Sequence, residues 1–270
     1  MDQYLKAITE PFSKGKSRID ALTQILGFLD LTTLEGTDNK SRVNALCDKA
    51  LSFSDKGTPS PAAVCVYSPF VRLVTDRLKG SGILTASVAG AFPSGQLPIH
   101  LKVAEVGYAV SEGADEIDMV LSRGTFLAGD FSTIRSEVAA MKKACGKAHL
   151  KVILETGELA TAENIRLAGE LAIEGGADFI KTSTGKTQPA ATPEALAVMS
   201  DVIREHFSAT GKQVGLKPAG GISTPDQALA YYAVVQDKLG DAWLNKNLFR
   251  IGASRLADAI FAELEAWKNH

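Results

Sequence analysis

The sequence predicts an α/β fold, a closed (β/α)8 barrel of eight parallel strands, from three observations. Short apolar or β-branched runs alternate with longer helix-period stretches, and this happens eight times. The chain has 270 residues, close to the ~250 typical of one such barrel. The first strand–helix junction, "LTTLEGTDNK", lacks the GxGxxG that an open doubly wound nucleotide-binding sheet would carry there. Closing the strands on themselves also removes both exposed sheet edges.

The elements follow in order. Residues 1–28 precede the first strand and contain a helical stretch, "RIDALTQILGFL", extra to the barrel and available to plug its N-terminal face. The expected strands are "LDLTTL" from Leu29, "AAVCVY" from Ala62, "LTASVAG" from Leu84 and "EIDMVL" from Glu116. Then come "LKVILET" from Leu150, "FIKTST" from Phe179, "QVGLKP" from Gln213 and "FRIGAS" from Phe249. A helical stretch follows each. In the fifth, Ile165, Leu167, Ala168, Leu171 and Ala172 form one stripe, and Gly175 and Gly176 supply the positive-φ stop. No linker separates two compositions, so residues 1–270 are expected to form one domain, with "SDKGTPSP" and "GKTQPAATPE" as loops within it.

A net charge of −2 provides no field to hold a polyanion, so neither nucleic acid nor an acidic membrane is expected as a partner. Cys47, Cys65 and Cys145 are odd in number and form no CxxC, which suits a reducing compartment without a disulfide framework. His100, His149, His206 and His270 are scattered, with no HExxH, so no protein-held metal is expected. The N-terminus has no apolar signal-peptide core, and no stretch approaches the ~18 apolar residues that span a bilayer. A cytoplasmic protein is expected. Barrels of this size occur as monomers, dimers and higher forms, and a homodimer is one admissible assembly.

Side chains alternate along a strand, and this places chemistry inside the barrel. Apolar Ile117, Ile180 and Leu216 suit the helix-facing side. Asp118, Lys181 and Lys217 then point inward, near the C-terminal ends of strands four, six and seven, where active sites of this fold are built. "LKVILET" has polar residues on both faces and leaves the orientation of Lys151 and Glu155 open. A single lysine at a strand end is ordinarily a snorkelling residue or half of an ion pair. Two lysines and an aspartate converging in one barrel suggest more. A free lysine with a pKa of about 10.4 is neutral in only about four molecules per ten thousand at pH 7, and lowering it to about 7 takes roughly 4–5 kcal/mol. A neighbouring cation plus desolvation can supply that and yield an amine nucleophilic toward carbonyl carbon. Asp118 could keep the other lysine charged and relay protons.

Three strand ends carry glycine: "STGK", "PAGG" and "GASR". Glycines let backbone N–H groups approach an anion, and barrels often hold phosphate after strands seven and eight. Simple turn chemistry would explain any one of them. A P-loop is excluded, because its pattern requires glycine where Ile180 stands.

Together "ADFIKTSTGK", "GLKPAGGI", "GADEIDMV", "LKVILETGEL" and "AFPSG" resemble the 2-deoxyribose-5-phosphate aldolases, class I aldolases of the (β/α)8 fold. The likeness runs from Leu29 through Phe249 into the last helix. It implies reversible cleavage of 2-deoxyribose 5-phosphate to glyceraldehyde 3-phosphate and acetaldehyde, in deoxyribose phosphate catabolism, with no cofactor. It implies that Lys181 forms the Schiff base, Lys217 depresses its pKa and Asp118 shuttles protons. Gly185, Lys186, Gly220, Gly221, Gly252 and Ser254 would line the phosphate site, and Asp30, Thr32 and Cys65 would stand behind the substrate. Cys65 alone would read as a small buried hydrophobe.

Two positions depart from the family pattern. Ser223 follows "PAGG" where relatives often carry a basic residue, and Arg255 follows "GAS" where a small hydroxyl residue is common. Arg255 is expected to restore a cation near the phosphate. The chain ends "ELEAWKNH", without the tyrosine-bearing tail of some relatives. The alternatives are another Schiff-base barrel aldolase, acting on a ketose phosphate or keto acid, and a non-catalytic phosphosugar-binding regulator.

Overall fold

The computed structural model describes residues 1–268; His270 and the end of the C-terminal stretch lie outside the described residues. Eight strands form: β1 (Leu29–Thr32), β2 (Ala63–Tyr67), β3 (Leu84–Ala89), β4 (Glu116–Val120), β5 (His149–Ile153), β6 (Phe179–Lys181), β7 (Gly215–Lys217) and β8 (Ile251–Ala253). All pair in parallel, in the order β7-β6-β5-β4-β3-β2-β1-β8. Bridges from Leu216 to Phe249 and from Ala219 to Gly252 bring β7 to β8 and nearly close the barrel. The expected strands are all present, although the last three keep only three residues each in the ladder.

The helices are α1 (Asp2–Thr9), α2 (Gly15–Gly27), α3 (Lys40–Asp55), α4 (Val71–Leu78), α5 (Ile99–Ser111), α6 (Arg123–Leu127), α7 (Phe131–Cys145), α8 (Thr156–Leu159), α9 (Ala162–Glu174), α10 (Pro193–Thr210), α11 (Pro225–Leu239) and α12 (Leu256–Lys268). Their starts are written in the sequence. Thr161, Thr192 and Thr224 each accept a bond from the backbone N–H three residues on, and Thr224 with Gln227 forms a full capping box. Pro193 and Pro225 occupy the first helical position, where their missing N–H costs nothing. The stop of α9 differs from the expectation in one respect. Gly176 alone has positive φ (+96°), whereas Gly175 is needed for space, since a Cβ there would lie 2.6 Å from Val138 Cβ.

The extra N-terminal segment folds as α1 and α2. The latter buries Ala21, Leu22, Ile25 and Leu26 and packs against α11 and α12, leading straight into β1.

The strands sort their side chains as the alternation requires. Leu31, Val64, Ile117, Val152, Ile180 and Leu216 face the helices and belong to one continuous apolar core. The inner face is divided. Ala63, Cys65, Ala86 and Val88, from β2 and β3, form a small apolar cluster. The opposite wall, from β4 round to β1, carries buried charge. Small residues on one wall leave room for long lysine and arginine side chains from the other.

Candidate active site

Lys181 and Lys217 are register partners on β6 and β7. Asp118, on β4, receives both: its Oδ2 accepts from Lys181 Nζ and from Lys217 Nζ, each at 2.7 Å. Asp118 Oδ1 accepts from Lys151 Nζ at 3.1 Å. Lys217 also donates to Asp30 Oδ2 at 2.5 Å. One layer toward the N-terminal end, Arg250 Nη1 reaches Asp30 Oδ1 at 2.7 Å, and its Nη2 reaches Glu116 Oε1 at 2.8 Å. Lys151 donates to Glu116 Oε2 at 2.5 Å. All seven groups are buried.

Glycines make this crowd possible. A Cβ at Gly215 would lie 2.3 Å from the Phe179 ring, and one at Gly252 would lie 3.2 Å from Lys217 Cε. The Phe179 ring in turn sits 5.9 Å from Lys151 Nζ and 5.8 Å from the Arg250 guanidinium carbon. Both contacts lie within cation–π range.

The two lysines titrate in opposite directions. Burial pushes the Lys181 amine down; Asp118 opposes this, Lys217 adds to it, and the net is a lowered pKa. Burial also pushes Lys217 down, but Asp118 and Asp30 outweigh it and hold its pKa above the ordinary value. For Asp118, burial alone would raise the carboxyl; Lys151, Lys181 and Lys217 overcome that and keep it well below the usual range. Burial pushes the Cys65 thiol up to about 11, so it stays protonated at neutral pH.

Lys181 also opens onto a cleft of about 240 Å³. Thr32, Gly185, Lys186, Gly220, Gly221, Gly252 and Ser254 all line it, as do Ser223 and Arg255. Thr32 therefore faces the cleft itself rather than standing behind it. Asp30 is buried beneath, on Lys217, and Cys65 is buried in the small apolar cluster. Gly185, Gly220 and Gly221 have φ of +77°, +91° and +80°, and a Cβ on Gly220 would meet Gly185 Cα at 2.9 Å. These positions need glycine both for backbone conformation and for close approach. Helix α12 starts directly after Arg255, which sets the positive end of its dipole beside the cleft. Lys186 Nζ is held 3.0 Å from Glu35 Oε1, from the loop after β1. The Arg255 side chain is exposed and has no ion pair among the described residues.

Strand alternation points Asp118, Lys181 and Lys217 inward and leaves Lys151 open; the structure adds Lys151, Glu116 and Arg250 to the same enclosed wall. The sequence carries a signal for Glu116 and Arg250. Glu116 shares the face of Asp118, and Arg250 alternates with Gly252 and Ser254. Glu155 was beyond such reasoning. It leaves the ladder with φ +59°, accepts from the Thr184 amide and hydroxyl, and pairs with Arg123 at 3.2 Å. That trio ties the chain after β4, β5 and β6 together at the C-terminal face of the barrel.

A sequence profile described as the DeoC/LacD family aldolase matches residues 25–253. The chain is 44% identical over 252 residues to a human deoxyribose-phosphate aldolase, covering 88% of this chain and 79% of that one. A mouse deoxyribose-phosphate aldolase is 45% identical with the same coverage. The solved structure of a deoxyribose phosphate aldolase from Aeropyrum pernix superimposes with a TM-score of 0.71 at 23% identity, covering 94% of this chain and 99% of that one; at that identity the likeness speaks for the fold.

Proposed function

The chain belongs to the DeoC/LacD aldolase family, and on that premise we propose that it is a class I, Schiff-base aldolase that reversibly cleaves 2-deoxyribose 5-phosphate to acetaldehyde and glyceraldehyde 3-phosphate. One observation carries the reading: Lys181 and Lys217 share Asp118 Oδ2, and Lys181 is the one of the pair that opens onto the cleft.

In this reading Lys181, as the free amine, adds to the C1 aldehyde of the open-chain sugar. The carbinolamine loses water to give a protonated imine. A proton leaves the C3 hydroxyl, the C2–C3 bond breaks, and its electron pair flows into the iminium to give an enamine. Glyceraldehyde 3-phosphate departs. The enamine takes a proton at C2, and water hydrolyses the resulting imine to release acetaldehyde and restore Lys181. Asp118, hydrogen-bonded to both amines, is the shuttle, acting with Lys217 through water. Lys217, held charged by two carboxylates, supplies the cation that disfavours protonation of Lys181.

The glycine-walled half of the cleft suits the 5-phosphate. Backbone amides at Gly185, Gly220 and Gly221, the start of α12, and Lys186 and Arg255 would meet its charge. Splitting a five-carbon sugar phosphate into a triose phosphate and acetaldehyde fits a role in deoxyribose phosphate catabolism. No helix is long and apolar enough to cross a membrane among the described residues.

The test is incubation with deoxyribose 5-phosphate or acetaldehyde and a hydride reductant, followed by peptide mapping. A reduced adduct on Lys181, with acetaldehyde released in the unreduced reaction, is expected. Tight phosphosugar binding with no adduct would mean a regulator instead, and release from a keto acid but not from deoxyribose 5-phosphate a different aldolase.

A further inference from the structure

We propose that Arg250 and Glu116, which lie beneath the amine pair and outside the cleft, act as positioning residues that fix the net charge of the barrel core and so set the pH at which Lys181 becomes a nucleophile. This rests on the reading of Lys181 as the Schiff-base lysine.

The inner wall holds three carboxylates, Asp30, Glu116 and Asp118, and four basic side chains, Lys151, Lys181, Lys217 and Arg250. Lys151, Lys217 and Arg250 each contact two or more carboxylates, whereas Lys181 contacts Asp118 alone. Three cations against three anions leave the core neutral, so a proton on Lys181 would be an uncompensated buried charge. Such a charge is costly in a low-dielectric interior. Lys181 is therefore the group that gives up its proton, and the deeper layer decides this as much as its immediate neighbours do.

The groups facing Lys181 come from three other strands. They are Asp118 from β4, Lys217 from β7 and the protonated Cys65 from β2. Behind them stand Asp30 from β1, Lys151 from β5, and the Arg250–Glu116 pair. Among the outer groups, His149 approaches Glu116 Oε1 at 3.8 Å from the exposed end of β5, and hydrogen bonding to Glu116 holds its pKa above the ordinary value. Its charge falls away as pH rises through the region above ~6.5, and Glu116 is its partner, so each midpoint is also read in a His149→Gln background, where the direction of each shift is expected to persist.

The two variants should act with opposite sign. Arg250→Met removes a cation and leaves the core one negative charge in excess, which favours the proton on Lys181. Glu116→Gln removes an anion with little change of shape and leaves one positive charge in excess, which expels it. A unit charge ~10 Å away at an effective dielectric of ~20 moves a pKa by about one unit.

The experiment records the acid limb of kcat/KM for deoxyribose 5-phosphate, and in parallel the pH midpoint for trapping acetaldehyde on Lys181 with cyanoborohydride. Arg250→Met should move both midpoints up by about one pH unit, and Glu116→Gln should move both down. The double variant should return them to the wild-type position, and Arg250→Lys should leave them there. Thermal unfolding identifies any single variant that fails to fold; the other single variant, judged against Arg250→Lys, then carries the test. A midpoint that stays fixed in a folded single variant, or that shifts in one direction for both single changes, overturns the proposal. Absence of any wild-type adduct on Lys181 overturns instead the functional reading on which it rests.

Discussion

Lys181 and Lys217 stand opposite each other on adjacent strands and donate to the same oxygen of Asp118 at the same distance, 2.7 Å, yet their pKa values move apart. The difference lies in the second acceptor. Lys217 also holds Asp30, whereas Lys181 has no other carboxylate among the described residues. One amine is thereby held as a cation, and the other gives up its proton more easily.

Replacing Lys217 by leucine removes a cation that pushes the Lys181 pKa down. The lysine should then hold its proton to higher pH. The midpoint for trapping acetaldehyde on Lys181 is expected to rise by at least one pH unit, read by mass spectrometry across a pH series. Lys181→Ala should give no adduct at any pH.

Asp118→Asn keeps the shape of the shared acceptor and removes its charge. Lys181 loses the anion that favours its protonated form, so adduct formation should persist and extend to lower pH. Proton shuttling should fail, and turnover should fall by about 10²–10⁴, the usual contribution of general acid–base catalysis. Equal loss of trapping and of turnover would assign Asp118 a structural role only.

Arg255 is the exposed cation of the cleft that forms no ion pair among the described residues, while Lys186 is engaged by Glu35. A charged hydrogen bond is worth about 1.5–3 kcal/mol, a factor of about 10–150. Arg255→Ala should raise KM for deoxyribose 5-phosphate by such a factor and leave unphosphorylated deoxyribose nearly unaffected. Equal losses on the two sugars would remove Arg255 from the phosphate site.

Gly220→Ala places a Cβ 2.8 Å from Ala190 Cβ at a φ of +91°. Both the clash and the backbone strain should destabilise the fold, together by roughly 1–3 kcal/mol. KM for the phosphorylated substrate should rise as well, because the same turn lines the cleft. Denaturant unfolding and steady-state kinetics measure the two effects separately.

Asp30, Glu116 and Asp118 all titrate below the ordinary carboxylate range: burial opposes this, and the lysines and Arg250 outweigh it. Because their folded pKa values are depressed, the stability they confer is complete above the unfolded value near 4 and is lost as pH falls below it. The unfolding temperature should be nearly level from about pH 6 to 8 and drop steeply below about pH 4. A flat profile down to pH 3 would contradict the ionised state of the cluster.

The sequence by itself determined the repeating strand–helix order, the helix caps and the inward direction of Asp118, Lys181 and Lys217. Those features depend on local rules: a period of two along a strand, a threonine or proline at a helix start, a glycine where φ is positive. It also set Glu116 on the face of Asp118 and Arg250 in step with Gly252 without revealing their partners, and left the direction of Lys151 open. Only the tertiary structure decided that Lys217 has two carboxylates and Lys181 one, that Arg250 reaches both Asp30 and Glu116, and that Glu155 turns back to Thr184. Those contacts join strands far apart in the chain, and barrel closure brings their side chains to hydrogen-bonding distance. Periodicity gives the direction of a side chain, but which charge it meets is set by the register of strands it does not belong to.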